Sequence, residues 1–192
     1  LSLQEADRKS FWNGNFDHIS FLAKKADFLQ AVSGEHVNST GLAYGTALVA
    51  KLALNRPESI IFSPSEEATA AKGFVVSSIN WPGKPCLEVD VVSAHLDFAS
   101  EETRRQQAAE IIDLLKKRNR PIILMGDFNT GWSKKNSAVR KLASELELHA
   151  FDPDAKNSQD TFLKQNRRLD WILVSKEIQF LTYQAVKPAV SD

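Results

Sequence analysis

Short apolar runs of strand length alternate with helix-like segments along the whole chain of 192 residues. This alternation favours a layered α/β or α+β domain, in which helices cover the faces of β-sheets. No internal repeat or linker interrupts the pattern, and the length suits one domain with a substantial core. Strands are predicted over 1–4, 45–49, 74–79, 87–94, 121–125, 169–174 and 178–183, with a turn around Pro57.

Three helices are predicted from capping residues that are followed by apolar side chains at helical spacing. Asp17, Ser100 and Asn136 open them. The predicted buried faces are, in chain order, Ile19, Leu22, Ala26 and Leu29, then Ala108, Ile111, Ile112 and Leu115, then Val139, Leu142 and Leu146. Residues 81–85, Trp-Pro-Gly-Lys-Pro, predict the turn of a hairpin between strands 74–79 and 87–94.

Composition and charge exclude several classes of protein. Hydrophobic residues make up 43% of the chain, too many for a disordered tail, and 8 Gly with 7 Pro exclude collagen-like or low-complexity sequence. The 24 basic and 24 acidic residues argue against a protein that coats nucleic acid through bulk charge. A local basic groove remains compatible with this balance. No apolar stretch reaches the ~20 residues that span a bilayer, so we expect no stable membrane insertion.

Cys86 is the single cysteine, which excludes an intramolecular disulfide framework, a zinc knuckle and a CxxC redox pair. It lies in an apolar run, so we predict a small buried side chain. The first residue is Leu1 and not Met, which leaves open a removed signal peptide or a longer amino-terminal segment. A cytoplasmic monomer is the default expectation, and an exported form stays open.

Polar residues that could carry chemistry follow or interrupt the apolar strands near their ends. These residues are Glu5, His95, Asp127, Asn129, Asp170 and Asp192. Layered α/β folds bind ligands at strand ends, because loops vary there while the sheet holds them rigidly. Carboxylates, an amide and an imidazole in one cleft would suit a hard divalent cation, Mg²⁺ or Mn²⁺, together with a phosphate ester.

Each of these residues also has an ordinary structural interpretation. Glu5 fits a solvated strand end, His95 a hydrogen-bonded core histidine, and Asp127 an Asx turn before a helix. Asp170 stands between apolar residues and needs a partner if it is buried. Only their ordered combination favours a catalytic interpretation.

That combination resembles the endonuclease/exonuclease/phosphatase superfamily, and the resemblance runs along the whole chain. The matching motifs are Leu3-Gln4-Glu5, Ser93-Ala94-His95-Leu96-Asp97, Met125-Gly126-Asp127-Phe128-Asn129, Thr161-Phe162, Arg168-Leu169-Asp170-Trp171-Ile172 and Ser191-Asp192. The resemblance implies the deoxyribonuclease-I-like α/β (α+β) fold, a four-layer sandwich of two packed mixed β-sheets flanked by helices. Small bacterial members carry a helix like that at 104–108, which makes Arg104 a candidate substrate-binding residue.

The resemblance also implies a role for each matched residue at the metal and the water. Glu5 would be the principal ligand of Mg²⁺, and Asp192 would help to bind the metal directly or through water. Asp127 would orient or deprotonate the attacking water. Hydrolysis of a phosphodiester needs a neutralised anion, an aligned water and a stabilised leaving oxygen, which a metal and positioned donors can supply.

The remaining implied roles meet a departure from the family pattern. Asn129 would hold a phosphate oxygen, His95 would donate a hydrogen bond to the phosphoryl oxygens, and Asp170 would orient a catalytic histidine. In the family that histidine follows the final Ser-Asp, and a strand with a metal-site Asn precedes the Gln-Glu element. We therefore expect one domain over 1–192 that lacks the first and last family strands through trimming of a longer protein. A chain that ended here would have strongly reduced catalysis.

Candidate substrate contacts lie outside the shared motifs. Lys72 stands where many relatives have Arg, which keeps the charge but loses bidentate phosphate recognition. Trp132, Lys134 and Lys135 follow the Gly-Asp-Phe-Asn element, so they could border the cleft, with Trp132 stacked on a base and the lysines near phosphates. The alternative is that Trp132 packs under the following helix and the lysines are solvated. Trp12 is a weaker cleft candidate, and core packing is favoured for it.

These observations leave three hypotheses. The leading one is a Mg²⁺-dependent phosphoesterase that hydrolyses phosphodiester bonds, with nucleic acid as the default substrate. The second is a phosphatase or phosphodiesterase of inositol phosphates or lipids, and the short turn at 81–85 weakly disfavours the lipid version because it offers no long apolar hairpin. The third is a catalytically inactive binding module of the same fold.

Overall fold

The computed structural model describes residues 1–39, 41–65, 71–155 and 159–186, and within them the chain forms nine strands and three α-helices. The strands are β1 (Ser2–Asp7), β2 (Gln30–Ser39), β3 (Leu42–Ala50), β4 (Asn55–Ile61), β5 (Gly73–Trp81), β6 (Lys84–His95), β7 (Ile122–Asp127), β8 (Leu148–Ala150) and β9 (Asp170–Ser175). The helices are α1 (His18–Lys25), α2 (Glu101–Arg118) and α3 (Ala138–Glu145).

Each helix begins after a capping residue whose side chain accepts a hydrogen bond from a backbone N–H of the first turn. Asp17 caps α1 and Ser100 caps α2, as predicted. Ser137 caps α3, one residue beyond the predicted Asn136. The buried face predicted for α1 is wrong at Leu29, because the helix ends at Lys25 and Leu29 is 78% exposed beyond it.

The larger sheet has six strands in the order β4-β5-β6-β7-β9-β8. β6 and β7 are parallel, and every other neighbouring pair is antiparallel. The parallel pair requires a crossover, which α2 supplies. The predicted hairpin is confirmed as β5 and β6.

The smaller sheet places β3 between β1 and β2, and both pairs are antiparallel. One of its faces packs on the larger sheet, and α1 packs against its three strands. The helices α2 and α3 cover the other face of the larger sheet. The predicted layers, two packed sheets flanked by helices, are therefore present.

Alternating side chains divide the core into two clusters, since successive residues of a strand point to opposite faces. The cluster between the sheets comprises Leu48, Leu54, Val75, Ile79, Val89 and Val91. The cluster under the helices includes Phe74, Val92, Ile111, Leu115, Leu124, Leu142 and Leu173. Burying each such side chain contributes roughly 1.5–3 kcal/mol. Both faces of the larger sheet are thus packed, which makes its strand ends a rigid platform.

Two predictions of local structure are wrong. Pro57 lies within β4, at an irregularity in the pairing with β5, and β4 is an edge strand in which a missing N–H is tolerated. Residues 178–183 do not form a strand, and β9 pairs instead with the short β8. Phe180 packs its ring edge to face against His149 and Phe151, so aromatic contacts hold this segment.

Two side chains predicted to be buried lie at the surface. Cys86, near the start of β6, is exposed. Trp12 is 58% exposed, on the segment that follows β1. In the part of the chain that the structure describes, no helix is long and apolar enough to cross a membrane.

Candidate active site

Strand register places the predicted polar residues in one row across the larger sheet. Gly73 pairs with His95, His95 with Asp127, and Asp127 with Asp170. Paired residues of neighbouring strands point to the same face, so these side chains share the face that packs on the smaller sheet. The row also places Lys72, the residue before Gly73, at the same end of the sheet.

Gly126 allows β6 and β7 to approach closely beside the row. Its φ of 153° is a conformation that side-chain-bearing residues rarely adopt. A Cβ atom at this position would lie 1.9 Å from the carbonyl oxygen of Ala94 on β6. The glycine of the Gly-Asp-Phe-Asn motif is therefore required by packing, directly before Asp127.

Glu5 reaches the row from the smaller sheet. The register of β1 shifts between Leu3 and Ala6, and Glu5 within this irregularity has a φ of 51°. Its side chain is 60% exposed, and its Oε1 lies 3.6 Å from the Nζ of Lys72. The bulge thus presents an open carboxylate above the buried members of the row.

Lys72, His95 and Asp127 form the centre of the cluster. The Nζ of Lys72 lies 3.1 Å from Nε2 and 3.2 Å from Nδ1 of His95. The Nε2 of His95 lies 3.8 Å from Oδ2 of Asp127. Lys72 and His95 are 7% and 4% exposed, so little water screens their interactions. We call Glu5, Lys72, His95 and Asp127 the catalytic cluster.

Burial and neighbouring charges shift the titration of the cluster. Burial, together with the charges of Asp170 and Glu5, raises the pKa of Asp127 to about 6, against the lowering effects of the Asn129 N–H and Lys72. Burial, with the charge of Lys72, lowers the pKa of His95 to about 3. His95 is therefore neutral near pH 7, and its contact with Asp127 is not an ion pair.

Hydrogen bonds that involve the backbone hold Asn129 and Asp170 beside Asp127. The backbone N–H of Asn129 donates to Oδ1 of Asp127 at 2.8 Å, and the side-chain Nδ2 of Asn129 donates to the Leu96 carbonyl at 3.0 Å. Asp170 is half-buried, and its backbone N–H donates to the Thr161 hydroxyl. Burial raises the pKa of Asp170, and the hydrogen bond from Thr161 opposes that rise. Both residues are thus held at the cluster.

His36 on β2 is a residue of this site that sequence reasoning missed. It is 4% exposed, its Nε2 lies 2.9 Å from the Thr46 hydroxyl, and its Nδ1 is buried without a hydrogen-bond partner among the described residues. A Cβ atom on Gly73 would lie 2.5 Å from that Nδ1. Burial and the charge of Lys72 lower the pKa of His36 to about 4. No strand was predicted around His36, and the only signal in the sequence was its position two residues after Gly34.

Arg104 does not support the predicted substrate-binding role. It is 5% exposed, and its guanidinium donates to the carbonyl of Asp97 and to the carboxylate of Glu101. These bonds join α2 to the loop that follows His95. Arg104 therefore holds that loop against α2. Because its charge is already paired with Glu101, it is not free to bind a substrate phosphate.

The segment after Asn129 packs toward the helices. Trp132 is half-buried, its ring centroid lies 5.6 Å from that of Trp171, and the Arg140 guanidinium of α3 lies over it. Of the two interpretations of Trp132, this supports packing against the helix side. Lys134 pairs with Glu101 of α2 at 3.5 Å, and Lys135 is exposed. The structure does not bring these three side chains to the catalytic cluster.

The donor set is compatible with a magnesium ion held by few protein ligands. Asp192 lies outside the described residues. Among the residues that the structure describes, no three His, Cys, Asp or Glu side chains form a ready-made metal cage. Mg²⁺ usually binds through one or two carboxylates, water and substrate phosphates. The exposed carboxylate of Glu5, close enough to Asp127 to raise its pKa, fits such a site.

A family model described as "Endonuclease/Exonuclease/phosphatase family" matches residues 1–192. The chain belongs to this family. Its members are in general hydrolases of phosphate esters. The family therefore agrees with the row of carboxylates and imidazole at the strand ends. No curated protein matches the chain at the level of sequence.

Solved structures of the endonuclease/exonuclease/phosphatase family share the fold. An endonuclease/exonuclease/phosphatase from Bacteroides vulgatus is 17% identical, with a TM-score of 0.69 over 91% of this chain and 72% of that one. A family protein from Leptotrichia buccalis is 21% identical, with a TM-score of 0.63 over 93% and 75%. A beta toxin mutant from Staphylococcus aureus with bound magnesium ions is 18% identical, with a TM-score of 0.59 over 85% and 68%.

Proposed function

We propose that this protein is a metal-dependent phosphodiesterase that hydrolyses nucleic acid by attack of water. The observation that carries the proposal is the convergence of two carboxylates with a neutral His95 and a buried Lys72. The carboxylates are Asp127 at the end of β7 and Glu5 in the bulge of β1. Carboxylates activate water and bind metal, whereas imidazole and ammonium groups stabilise a phosphoryl anion.

Asp127 is the group that orients and deprotonates the attacking water. Its pKa of about 6 leaves it largely ionised at pH 7, yet basic enough to take a proton. The hydrogen bond from the Asn129 N–H holds Oδ1, so Oδ2 is the oxygen that faces His95 and the cluster. A base in this position typically contributes about 10²–10⁴-fold to the rate.

Lys72, His95 and Asn129 stabilise the charge that develops on the phosphoryl oxygens. Lys72 supplies a cation in a site with little water, where its interaction with an anion is stronger than at the surface. Neutral His95 can donate one N–H while its other ring nitrogen accepts from Lys72. Asn129 keeps one amide N–H and its carbonyl oxygen for substrate or water.

Glu5 is the residue that would hold a divalent cation. When bound, Mg²⁺ or Mn²⁺ polarises the phosphoryl oxygens and neutralises charge on the leaving oxygen. The support for magnesium is the structure of a Staphylococcus aureus beta toxin mutant of the same fold, which has bound magnesium ions. Because the Glu5 carboxylate is mostly exposed, a substrate phosphate would also have access to an ion held there.

The open rim of the cluster supports a polymeric diester as substrate. Glu5 is mostly exposed, and the β5–β6 turn that could serve as a membrane-docking hairpin is only two residues long. A nucleic-acid strand can lie across such a rim without insertion into a lipid layer. Inositol phosphates and lipid phosphodiesters remain the competing substrates in the test.

A substrate panel with and without metal tests the proposal. Purified full-length protein is incubated with single-stranded DNA, RNA, bis(4-nitrophenyl) phosphate, an inositol phosphate and sphingomyelin, each with Mg²⁺, with Mn²⁺ or with EDTA. We expect hydrolysis of a nucleic acid and of the small diester with metal, and none with EDTA. Glu5→Gln should weaken Mg²⁺ binding in calorimetry, whereas Glu147→Gln, at an exposed glutamate far along the chain, should not. Turnover of the inositol phosphate or the lipid alone would refute the nucleic-acid assignment.

A further inference from the structure

Four exposed aromatic rings lie on the segment that directly follows β1. Phe11, Trp12, Phe16 and Phe21 are 64%, 58%, 45% and 50% exposed. We call these four residues the aromatic ridge. Aromatic side chains of this size are normally buried, so four on one short segment need a partner or a function.

The ridge is held in a fixed conformation. Phe11 and Trp12 are in contact with a centroid distance of 5.7 Å, and Phe16 and Phe21 with one of 5.2 Å. The indole N–H of Trp12 donates to the buried carboxylate of Asp7. The Phe11 N–H donates to the Gly41 carbonyl, which ties the segment to the turn after β2. These rings are therefore preorganised, and binding to them costs little conformational entropy.

Basic side chains accompany the rings. Lys9, Lys24 and Lys25 are exposed, and among the ion pairs of the described residues none involves these three lysines. Lys25 lies 5.8 Å from the centroid of the Phe21 ring. Lys9 also lies close enough to Asp17 to help lower the pKa of that carboxyl, so Lys24 and Lys25 carry the less compensated charge. The surface thus combines rings for stacking with positive charge, and it is complementary to an anionic partner.

The ridge continues directly from the catalytic cluster. Glu5 lies in the bulge of β1, and Arg8 follows it by three residues, which span at most about 10 Å. Lys9 and Phe11 follow immediately. A strand whose phosphate is bound at the cluster could therefore extend onto the ridge with its neighbouring nucleotides.

We propose that the aromatic ridge and its three lysines form a docking surface for a single strand of nucleic acid, on which bases flanking the scissile phosphate stack. This inference rests on the proposed function, because the strand that docks on the ridge is the substrate whose hydrolysis was proposed above. The composition of the ridge favours a strand over a membrane. Every large hydrophobic side chain exposed within residues 8–25 is aromatic. Rings stack on bases, whereas surfaces that insert into lipid combine Trp and Phe with aliphatic side chains such as Leu.

Binding of a labelled strand tests the docking surface. The probe is a fluorescein-labelled oligothymidylate of about 12 nucleotides, within the site sizes common for stacking surfaces, with EDTA present to prevent cleavage. Phe11→Ala and Phe21→Ala should each weaken binding about 5- to 100-fold. Lys9→Ala should reduce the salt dependence of binding by about 0.7 in the log–log slope.

Matched controls come from the opposite end of the smaller sheet. Leu29→Ala removes an exposed apolar side chain and Lys51→Ala an exposed cation, both near the end of β3 that lies away from the ridge. Both controls should bind the strand as the wild type does. Bis(4-nitrophenyl) phosphate is too small to reach the ridge. It should therefore be hydrolysed at the wild-type rate by all five variants, namely Lys9→Ala, Phe11→Ala, Phe21→Ala, Leu29→Ala and Lys51→Ala.

The readouts separate failure of this inference from failure of the proposed function. If wild type hydrolyses the small diester but the ridge variants bind the strand as tightly as the controls, the docking surface is overturned and the phosphodiesterase stands. If the ridge variants lose binding to phosphatidylserine vesicles and keep their affinity for the strand, the surface docks to membranes and the inference is wrong. No hydrolysis of any diester by wild type refutes the proposed function, whatever the strand binds.

Discussion

The buried His36 should make the stability of the fold depend on pH in a way that one substitution removes. Burial and the charge of Lys72 lower the pKa of His36 from 6.5 to about 4. The unfolded chain therefore takes up a proton at a pH where the folded chain does not, so stability falls as the pH drops from 6.5 towards 4. At pH 5 the unfolded histidine is mostly protonated and the folded one is not, which corresponds to a loss of about 2 kcal/mol relative to pH 7.

The substitution His36→Gln isolates this contribution. Its amide can still bond the Thr46 hydroxyl, but it cannot titrate. Urea unfolding with EDTA present, followed by tryptophan fluorescence, gives the free energy of unfolding of both proteins at pH 7 and pH 5. His95 and Asp127 titrate in both proteins, and the charge of His36 that helps lower the pKa of His95 is mostly absent from the folded protein at pH 5, so these contributions largely cancel in the difference. We expect wild type to lose about 2 kcal/mol more than the variant. Parallel losses would refute the burial of a neutral His36.

Three further substitutions test packing and charge around the cluster. Gly126→Ala should lower the free energy of unfolding by about 3 kcal/mol or more, because the new methyl group would collide with a backbone carbonyl of β6. An unchanged melting temperature would argue against the pairing of β6 with β7 in this register. Lys72→Met should raise the pKa of Asp127, because the charge of the lysine lowers it. The acidic limb of the pH–rate profile should therefore move to higher pH, and a move to lower pH would contradict the assignment of Asp127 as the base. Arg118→Leu should lower the free energy of unfolding by about 3 kcal/mol, because it leaves the fully buried Asp90 without its bidentate partner. A loss below about 1 kcal/mol in urea unfolding would be inconsistent with that ion pair.

The sequence predicted that several polar residues would meet at the ends of neighbouring strands, and the structure brings them together. A polar residue at the end of an apolar strand predicts a strand-end site, and the register of neighbouring strands then decides which residues meet. His95, Asp127 and Asp170 were predicted on this ground, and pairing places them side by side. Glu5 was predicted in the same way, although the bulge that exposes it is visible only in the structure.

Loop residues were harder to place, because sequence does not show which face of the sheet a loop packs on. Trp132 and Lys134 follow Asn129 closely, yet the chain turns to the helix side, where Trp171 and Glu101 are their partners. The same difficulty affected 178–183, whose β-prone residues form aromatic contacts while the three residues of β8 complete the sheet. Tertiary packing decided these cases over local propensity.

The place of His36 in the site was not predicted, because it depends on contacts between distant parts of the chain. Its ring fits between β2 and β5 because Gly34 and Gly73 lack side chains, and these glycines are far apart in sequence. Nothing local distinguishes such a histidine from any other strand residue. Its neighbour Lys72 was singled out only through the comparison with family motifs, so burial of two basic groups beside His95 became apparent only in three dimensions.

Asp127, at the end of β7, is proposed to activate the attacking water, so its replacement should slow hydrolysis more than it affects folding. The decisive experiment measures the rate of metal-dependent diester hydrolysis by Asp127→Asn. Asp113→Asn, at an exposed position of α2, is the matched control. With Mg²⁺ present and bis(4-nitrophenyl) phosphate as substrate, Asp127→Asn should lose about 10²–10⁴-fold in kcat while the control keeps the wild-type rate. An Asp127→Asn protein that is folded and as active as wild type would contradict the account.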